Sequence, residues 1–256
     1  MTERTVLLDY LDELLGSERF RDACPNGLQV EGQSQVEVIA TCASVSLDFF
    51  EQAVEEGAEM LLVHHGLFWH GDSRVIDGWL GRRLKILLEH ELNLVAYHLP
   101  LDAHPQLGNN ACLARLAGLV DCHFDIGYLD GNAIGCRGVL EEPLPLEDFV
   151  EGLSNEIESP ARVLGLPPRG PVQRVAVISG SGGTPALLEE IARAGCQVLV
   201  TGEVKEQSVA LLREMGLVAV VLGHYNSEKH GVVACGDHLA ERFGLSVVHV
   251  DVPNPV

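Results

Sequence analysis

The chain has few basic residues and few aromatic residues. Lysine and arginine together number 17 of 256 residues, against 37 aspartates and glutamates, and the aromatic residues make up 5%. The formal net charge of −20 argues against a nucleic-acid-binding surface, because nucleic-acid phosphates require a basic one. No apolar run reaches the ~18 residues that a membrane-spanning helix needs. We therefore expect neither a membrane protein nor a nucleic-acid-binding protein.

The seven cysteines are scattered, and no two of them form a C-x-x-C motif. An odd and dispersed set is typical of reduced thiols in a cytosolic protein rather than of a disulfide framework. The first residues, Met1–Arg4, lead into an acidic amphipathic helix rather than a signal peptide. We therefore expect a cytoplasmic protein, whose 46% apolar residues suffice for a packed core.

Strand-like apolar runs alternate with helical patterns along most of the chain. The helical pattern of residues 46–56, for example, ends at Gly57 and precedes the apolar run Met60–Val63. This alternation indicates an α/β fold with mostly parallel sheets. The stretch 124–171 is rich in glycine and proline and is interpreted as a crossing between halves. We expect two similar α/β halves, residues 1–125 and 126–256, with the last segment able to pack back on the first half.

Two adjacent histidines, His64 and His65, follow the apolar run and precede Gly66. Imidazole is the commonest metal ligand among side chains, and open α/β sheets place their chemistry at the carboxyl ends of strands. Adjacent strand residues point to opposite sides. Both histidines can therefore face one site only if the chain bends there, or if each binds a different metal. The plainer alternative is one core histidine beside one surface histidine.

Two further apolar runs each end in a histidine that is followed four residues later by a carboxylate: His98 with Asp102, and His224 with Glu228. Residues four apart share one face of a helix, but Pro100 disfavours a regular helix and favours a turn in the first segment. Imidazole and carboxylate suit zinc, manganese, iron or nickel. The absence of thiolates argues against a closed structural zinc site.

Two further sets of residues are weaker candidates. A glycine-rich loop that follows one strand and opens a helix is either a phosphate-binding loop or a tight turn, and it consists of Ser179, Gly180, Ser181, Gly182 and Gly183. It lacks the lysine of a P-loop. The side chains that could act in catalysis, or could simply line the rim of a site, are Glu203, His104 and Tyr225.

Five segments in chain order resemble the GTP cyclohydrolase 1 type 2 homologue family, also called Nif-three-like dinuclear-metal proteins. They are Asp22–Gly32 (DACPNGLQVEG), Leu62–Trp69 (LVHHGLFW), His98–Asn110 (HLPLDAHPQLGNN), Thr201–Glu203 (TGE) and Gly223–Glu228 (GHYNSE). They span nearly the whole chain. The resemblance implies two α/β domains with a metal site in the cleft between them, and a toroidal homohexamer. Because the crossing at residues 124–171 is short, the resemblance implies the short form of the family, which has no domain inserted between the halves.

The resemblance also implies two divalent metal ions per chain, held by residues matching His64, His65, Asp102, His224 and Glu228. His98 is a further ligand, a group that orients Asp102, or an ordinary strand-end histidine. The leading hypothesis is a metal-dependent hydrolase that uses metal-activated water on a small phosphorylated or nucleotide-like substrate. The alternative is a non-catalytic hexameric metal-binding or regulatory scaffold that recruits a protein partner.

Overall fold

The computed structural model describes all 256 residues. The strands are β1 (Thr2–Glu3), β2 (Gly27–Val30), β3 (Gln35–Val36), β4 (Val38–Ser44), β5 (Met60–His65), β6 (Asn93–Ala96), β7 (Leu119–Leu129), β8 (Asn132–Leu144), β9 (Arg162–Gly165), β10 (Val172–Ser181), β11 (Val198–Glu203), β12 (Val218–Val221) and β13 (Ser246–His249). The helices are α1 (Arg4–Leu15), α2 (Leu47–Glu55), α3 (Gly78–Glu89), α4 (Leu99–Ala103), α5 (Asn109–Leu116), α6 (Leu146–Ile157), α7 (Pro185–Arg193), α8 (Glu206–Met215) and α9 (His224–Phe243). The fold is mixed α/β, as the alternating pattern predicts.

The chain divides into two compact units. Unit 1 comprises residues 1–101 and 231–253, and unit 2 comprises residues 102–230 and 254–256. The boundary thus differs from the one expected after residue 125. Strand β7 pairs with β8 and so joins the sheet of unit 2, whereas β13 pairs with β4 and so joins unit 1. Asp102 consequently belongs to unit 2 rather than to the half that carries the histidine pair.

Unit 1 is built on a five-stranded sheet in the order β13–β4–β5–β6–β2. The first four strands are parallel, and β2 is antiparallel at the edge. Alternate residues of the central strands pack into two separate apolar clusters. One cluster contains Phe49 and Phe50 of α2, and the other contains Leu7 and Leu11 of α1. Both faces of the sheet are therefore covered, which explains why β5 is apolar without interruption until it reaches the histidine pair.

Unit 2 is built on a six-stranded sheet in the order β7–β8–β10–β11–β12–β9. Strands β10, β11 and β12 are parallel, whereas β7, β8 and β9 pair antiparallel. The segment 124–171, expected to be a crossing that contains one helix at Leu146–Ile157, has that helix as α6 but also supplies most of a hairpin and an edge strand. The hairpin turns at Asp130 and Gly131, whose φ angles are 47° and 85°. Two successive positive φ angles define the type I′ turn that Asp-Gly favours.

All seven cysteines are free thiols, as their dispersed spacing predicts. None of the helices combines the length and the apolar character that crossing a lipid bilayer requires.

Candidate metal centre

The carboxyl end of β5 carries both adjacent histidines. His64 is fully buried and His65 is half-buried, with ring centroids 4.5 Å apart. Nδ1 of His64 donates to the carbonyl oxygen of Tyr97 at 3.0 Å, and Nδ1 of His65 shares a 2.9 Å hydrogen bond with Ser44 Oγ. In both rings Nδ1 is engaged, so Nε2 is the nitrogen suited to ligate a metal. The chain therefore brings both rings to one place instead of directing them apart.

His98 joins this pair in unit 1. One ligating atom from each of His64, His65 and His98 lies within 4.8 Å of the other two. His98 follows β6, and its Nδ1 donates to Asp22 Oδ1 at 2.7 Å. The third imidazole therefore has the same arrangement as the first two, with Nδ1 held by a protein acceptor. Three histidines oriented in this way fit a borderline divalent metal ion.

Asp22 holds His98 in place. Its carboxylate also accepts from the main-chain N–H groups of Leu99 (2.9 Å) and Cys24 (3.1 Å) and from Asn26 Nδ2 (3.2 Å). Burial alone would raise the pKa of Asp22, but the hydrogen bond and charge of His98, together with the main-chain donors, lower it to about 2. Sequence reasoning used the segment containing Asp22 only for its resemblance and missed this role, because His98 is 76 residues away.

Helix α9 supplies a histidine and a carboxylate in unit 2. The sequence predicts a helix only near residues 233–242, but α9 begins at His224. His224 and Glu228 therefore lie one turn apart on one face, with Nε2 and Oε2 separated by 3.0 Å. The Glu228 carboxylate, helped by Glu203 at 3.4 Å from His224 Nδ1, raises the pKa of His224 to about 8. A cation bound here would therefore replace a proton.

Asp102 lies in α4, a five-residue helix. The turn expected from Pro100 is thus helical, since proline is tolerated in a first turn. Asp102 Oδ1 accepts from Asn109 Nδ2 and from Ser179 Oγ, each at 2.9 Å. Carboxylate oxygens of Asp102 and Glu228 lie within 4.8 Å of each other, and both residues are buried. Two buried carboxylates this close favour a bound cation, so the donor set of unit 2 also fits a divalent ion.

The glycine-rich loop contacts the carboxylate of Glu228. Gly180 has a φ of 60°, and a side chain at this position would collide with Glu228. Main-chain N–H groups of the loop donate to side chains of unit 2, namely Ser179 to Asn110 Oδ1 (2.7 Å), Gly180 to Ser227 Oγ (2.9 Å) and Gly182 to Thr201 Oγ1 (3.0 Å). These three donors are therefore committed to the protein, which leaves at most Ser181 and Gly183 for a phosphate.

The three candidate catalytic residues have different surroundings. Glu203 contacts His224 and keeps 42% of its side chain exposed. His104 accepts at Nδ1 from the main-chain N–H of Leu107 at 3.0 Å, which fits a turn-stabilising role. Tyr225 is buried, and its N–H donates to the carbonyl oxygen of Val256 at 2.9 Å. Among these contacts, that of Glu203 with His224 is the one that reaches a candidate ligand.

The fold and these side chains define an α/β protein with histidine and carboxylate groups suited to divalent metal ions. Residues 2–255 match Duf34/NIF3 (NGG1p interacting factor 3), and the chain belongs to this family. The family resemblance inferred from the five sequence segments is thereby confirmed.

Relatives of similar length cover the whole chain. The GTP cyclohydrolase 1 type 2 homolog of Allochromatium vinosum is 38% identical over 255 residues, which is 100% of this chain and 98% of the relative. A solved structure described as protein ybgI of unknown function has a TM-score of 0.92 and 38% identity, with 100% of both chains covered. The crystal structure of TTHA1606 from Thermus thermophilus has a TM-score of 0.87 and 36% identity over 100% of both chains.

Proposed function

We propose that the protein binds two divalent metal ions and hydrolyses a small phosphorylated or nucleotide-like substrate. The observation that carries this proposal is the arrangement of the imidazoles of His64, His65 and His98. Each ring is fixed through Nδ1 by a different hydrogen-bond partner, and their ligating atoms converge within 4.8 Å. Core histidines that serve only for packing need no such convergence, whereas metal ligands do.

The proposed ligands are the histidines and carboxylates described above, namely His64, His65, His98, Asp102, His224 and Glu228. Imidazole with carboxylate suits zinc, iron, manganese or nickel. Two divalent ions supply Lewis acidity and make water a stronger nucleophile near neutral pH. With these six ligands shared by two ions, coordination positions would remain for water and substrate.

The chain's own side chains orient the ligands and accept the proton released from the attacking water. Asn109 and Ser179 both donate to Oδ1 of Asp102. These two hydrogen bonds fix the orientation of the whole carboxylate, including that of Oδ2. Glu203 orients His224, and because its carboxylate is partly exposed it can accept a proton from water. We therefore propose Glu203, rather than His104 or Tyr225, as the general base.

The substrate class is supported by the charge of the chain and by the name of its relatives. A chain with a net charge of −20 has little basic surface for an anionic substrate, so bound cations would supply the positive charge. The curated relatives carry the name GTP cyclohydrolase 1 type 2 homolog, which favours a nucleotide-like molecule. The remaining N–H groups of the loop, those of Ser181 and Gly183, are the proposed phosphate donors.

Elemental analysis of the purified chain tests the metal site. We expect close to two divalent ions per chain in the wild type, and clearly less in Asp102→Ala and His65→Ala. His70→Ala is a matched control, because His70 is an exposed histidine five residues beyond His65. Failure of the wild type to retain metal, or to take it up on titration, would remove the basis of the proposal.

A substrate screen tests the hydrolase. The metal-loaded protein is assayed with a panel of phosphoesters, nucleotides and purine nucleosides. Turnover should be abolished by Asp102→Ala and reduced by Glu203→Gln with metal content retained. If the metal-loaded wild type turns over no member of a broad panel, the hydrolase proposal is wrong even though the metal site stands.

A second candidate is a non-catalytic hexameric scaffold that recruits a protein partner. The description of the family as an NGG1p interacting factor favours it. In that case metal should change the oligomer size measured by gel filtration without any turnover. A chain whose size is independent of metal would argue against this candidate.

A further inference from the structure

Trp69 lies beside the histidine cluster of unit 1. Its ring centroid is 5.1 Å from that of His98 and 5.9 Å from that of His65. The indole is half-buried and packs against the apolar core of unit 1. The residue stands four positions after His65, in the loop between β5 and α3. A large, partly exposed aromatic ring is thus fixed next to two proposed metal ligands.

The orientation of this indole is set by hydrogen bonds within its own loop. Nε1 donates to the carbonyl oxygen of Gly66 at 3.2 Å, and the main-chain N–H of Trp69 donates to Asp72 Oδ2 at 2.8 Å. The start of the loop is anchored where the N–H of Leu67 donates to Gln29 Oε1 at 2.7 Å. A ring held in this way loses little conformational freedom when a ligand packs on it.

Neither imidazole stacks flat on the indole. The plane of Trp69 makes an angle of 78° with that of His98 and 40° with that of His65. Parallel stacking, the arrangement that a planar ligand adopts on an aromatic face, is therefore not used by these two rings. The indole N–H of Trp69 already donates to Gly66, so a ligand that packs on Trp69 would meet its aromatic surface rather than a hydrogen-bond donor.

We propose that the indole of Trp69 is a stacking surface for a planar heteroaromatic ring of the substrate. This inference rests on the proposed function, and it specifies the substrate class further. A ring stacked on Trp69 would lie next to His65 and His98, and hence next to the ions that they would hold. An aliphatic phosphoester has no group for this surface, so Trp69 would make the site selective for nucleotide-like molecules.

Paired ligands that differ only in the ring test this proposal. Guanosine 5′-monophosphate and ribose 5-phosphate are titrated by calorimetry into Mn²⁺-loaded protein. In the wild type, the nucleotide should bind about 10-fold more tightly, as expected for one base stacked on one aromatic side chain. Trp69→Leu should abolish this preference, and Trp69→Phe should keep most of it, because phenylalanine retains a π-face.

The second tryptophan supplies the matched control and the optical readout. Trp79 is 55% exposed and packs under the guanidinium of Arg83 on α3. Trp79→Leu should leave the nucleotide preference unchanged. In Trp79→Phe, Trp69 is the one remaining tryptophan, and guanosine 5′-monophosphate should quench its fluorescence whereas ribose 5-phosphate should not.

Three outcomes would overturn the stacking proposal: equal affinity for the two ligands in the wild type, an unchanged preference in Trp69→Leu, or no measurable binding of either ligand. Metal content is measured on the same samples. Absence of metal from the wild type would contradict the proposed function instead, and quenching of Trp69 by the nucleotide can be measured without metal. The two failures are therefore distinguishable.

Discussion

Replacement of Asp22 by asparagine should destabilise the metal-free protein by about 2.5 kcal/mol. The carboxylate has a pKa of about 2 instead of its ordinary 3.8, because His98 and main-chain donors stabilise its charged form. One pKa unit corresponds to about 1.36 kcal/mol, so the difference between the ordinary and the lowered pKa of Asp22 corresponds to about 2.5 kcal/mol. The asparagine side chain would lack that charge and would have to place its NH₂ group against other donors. The side chain of Asp22 is 3% exposed, so water can compensate little.

Urea denaturation of chelator-treated protein measures this effect. Tryptophan emission reports on unit 1, because both tryptophans, Trp69 and Trp79, belong to it. With an m-value of about 2–3 kcal/mol/M, Asp22→Asn should lower the midpoint by about 1 M. The depressed pKa means that this stabilisation is complete above pH 3.8 and is lost as the pH falls through about 2. The difference between wild type and variant should therefore shrink as the pH falls below about 4.

Asp9→Asn is the matched control, because Asp9 is an exposed carboxylate of unit 1. It should change stability by less than about 0.5 kcal/mol. An Asp22 variant as stable as this control would refute the argument that His98 is held by a charged, buried partner. Asp22→Asn should in addition weaken metal binding by about 10- to 100-fold, as expected when a group orienting a ligand is removed.

Three further predictions concern unit 2. Ser179→Ala removes a donor to Asp102 Oδ1 and should weaken metal binding by about 10-fold in a competition titration with a chelator; an unchanged affinity would argue against a positioning role. The raised pKa of His224 means that its stabilisation of metal-free protein is complete below pH 6.5 and is lost as the pH rises through about 8. The melting temperature should thus fall between pH 7 and 9, and in His224→Gln this component of the fall should be missing. Gly180→Ala should cost about 1–3 kcal/mol in urea denaturation, because its φ is 60° and the new methyl collides with a carboxylate. Gly152→Ala in α6, with open space around it, should be neutral or stabilising.

Local patterns predicted the type of most elements in the chain. Ser46 accepts from the N–H of Phe49 and begins α2 where a helix is predicted. The helix predicted at Leu146–Ile157 is α6, but the region 124–171 was otherwise interpreted as a crossing between halves, whereas it forms most of a hairpin and an edge strand. The Asp130-Gly131 pair was the available signal for a hairpin, but its strands could not be assigned without knowing which neighbour they pair with.

The candidate site was predicted only in part, again because local patterns do not show which distant segments become neighbours. His64 and His65 stand out because polar residues end a buried apolar run. His98 was left between three roles, and its grouping with the pair emerges only when β5 and β6 lie side by side. The start of α9 at His224 was missed because the helical pattern is weak in its first turns.

The sequence by itself determined the α/β class, the family and the residue types suited to a metal, since these follow from periodicity, strand ends and motif order. Only the tertiary structure decided how the proposed ligands are oriented. Asp22 reaches His98 across 76 residues, and Ser179 reaches Asp102 across 77. Hydrogen bonds over such separations depend on strand order and register, which are set by burial of whole sheet faces rather than by local patterns.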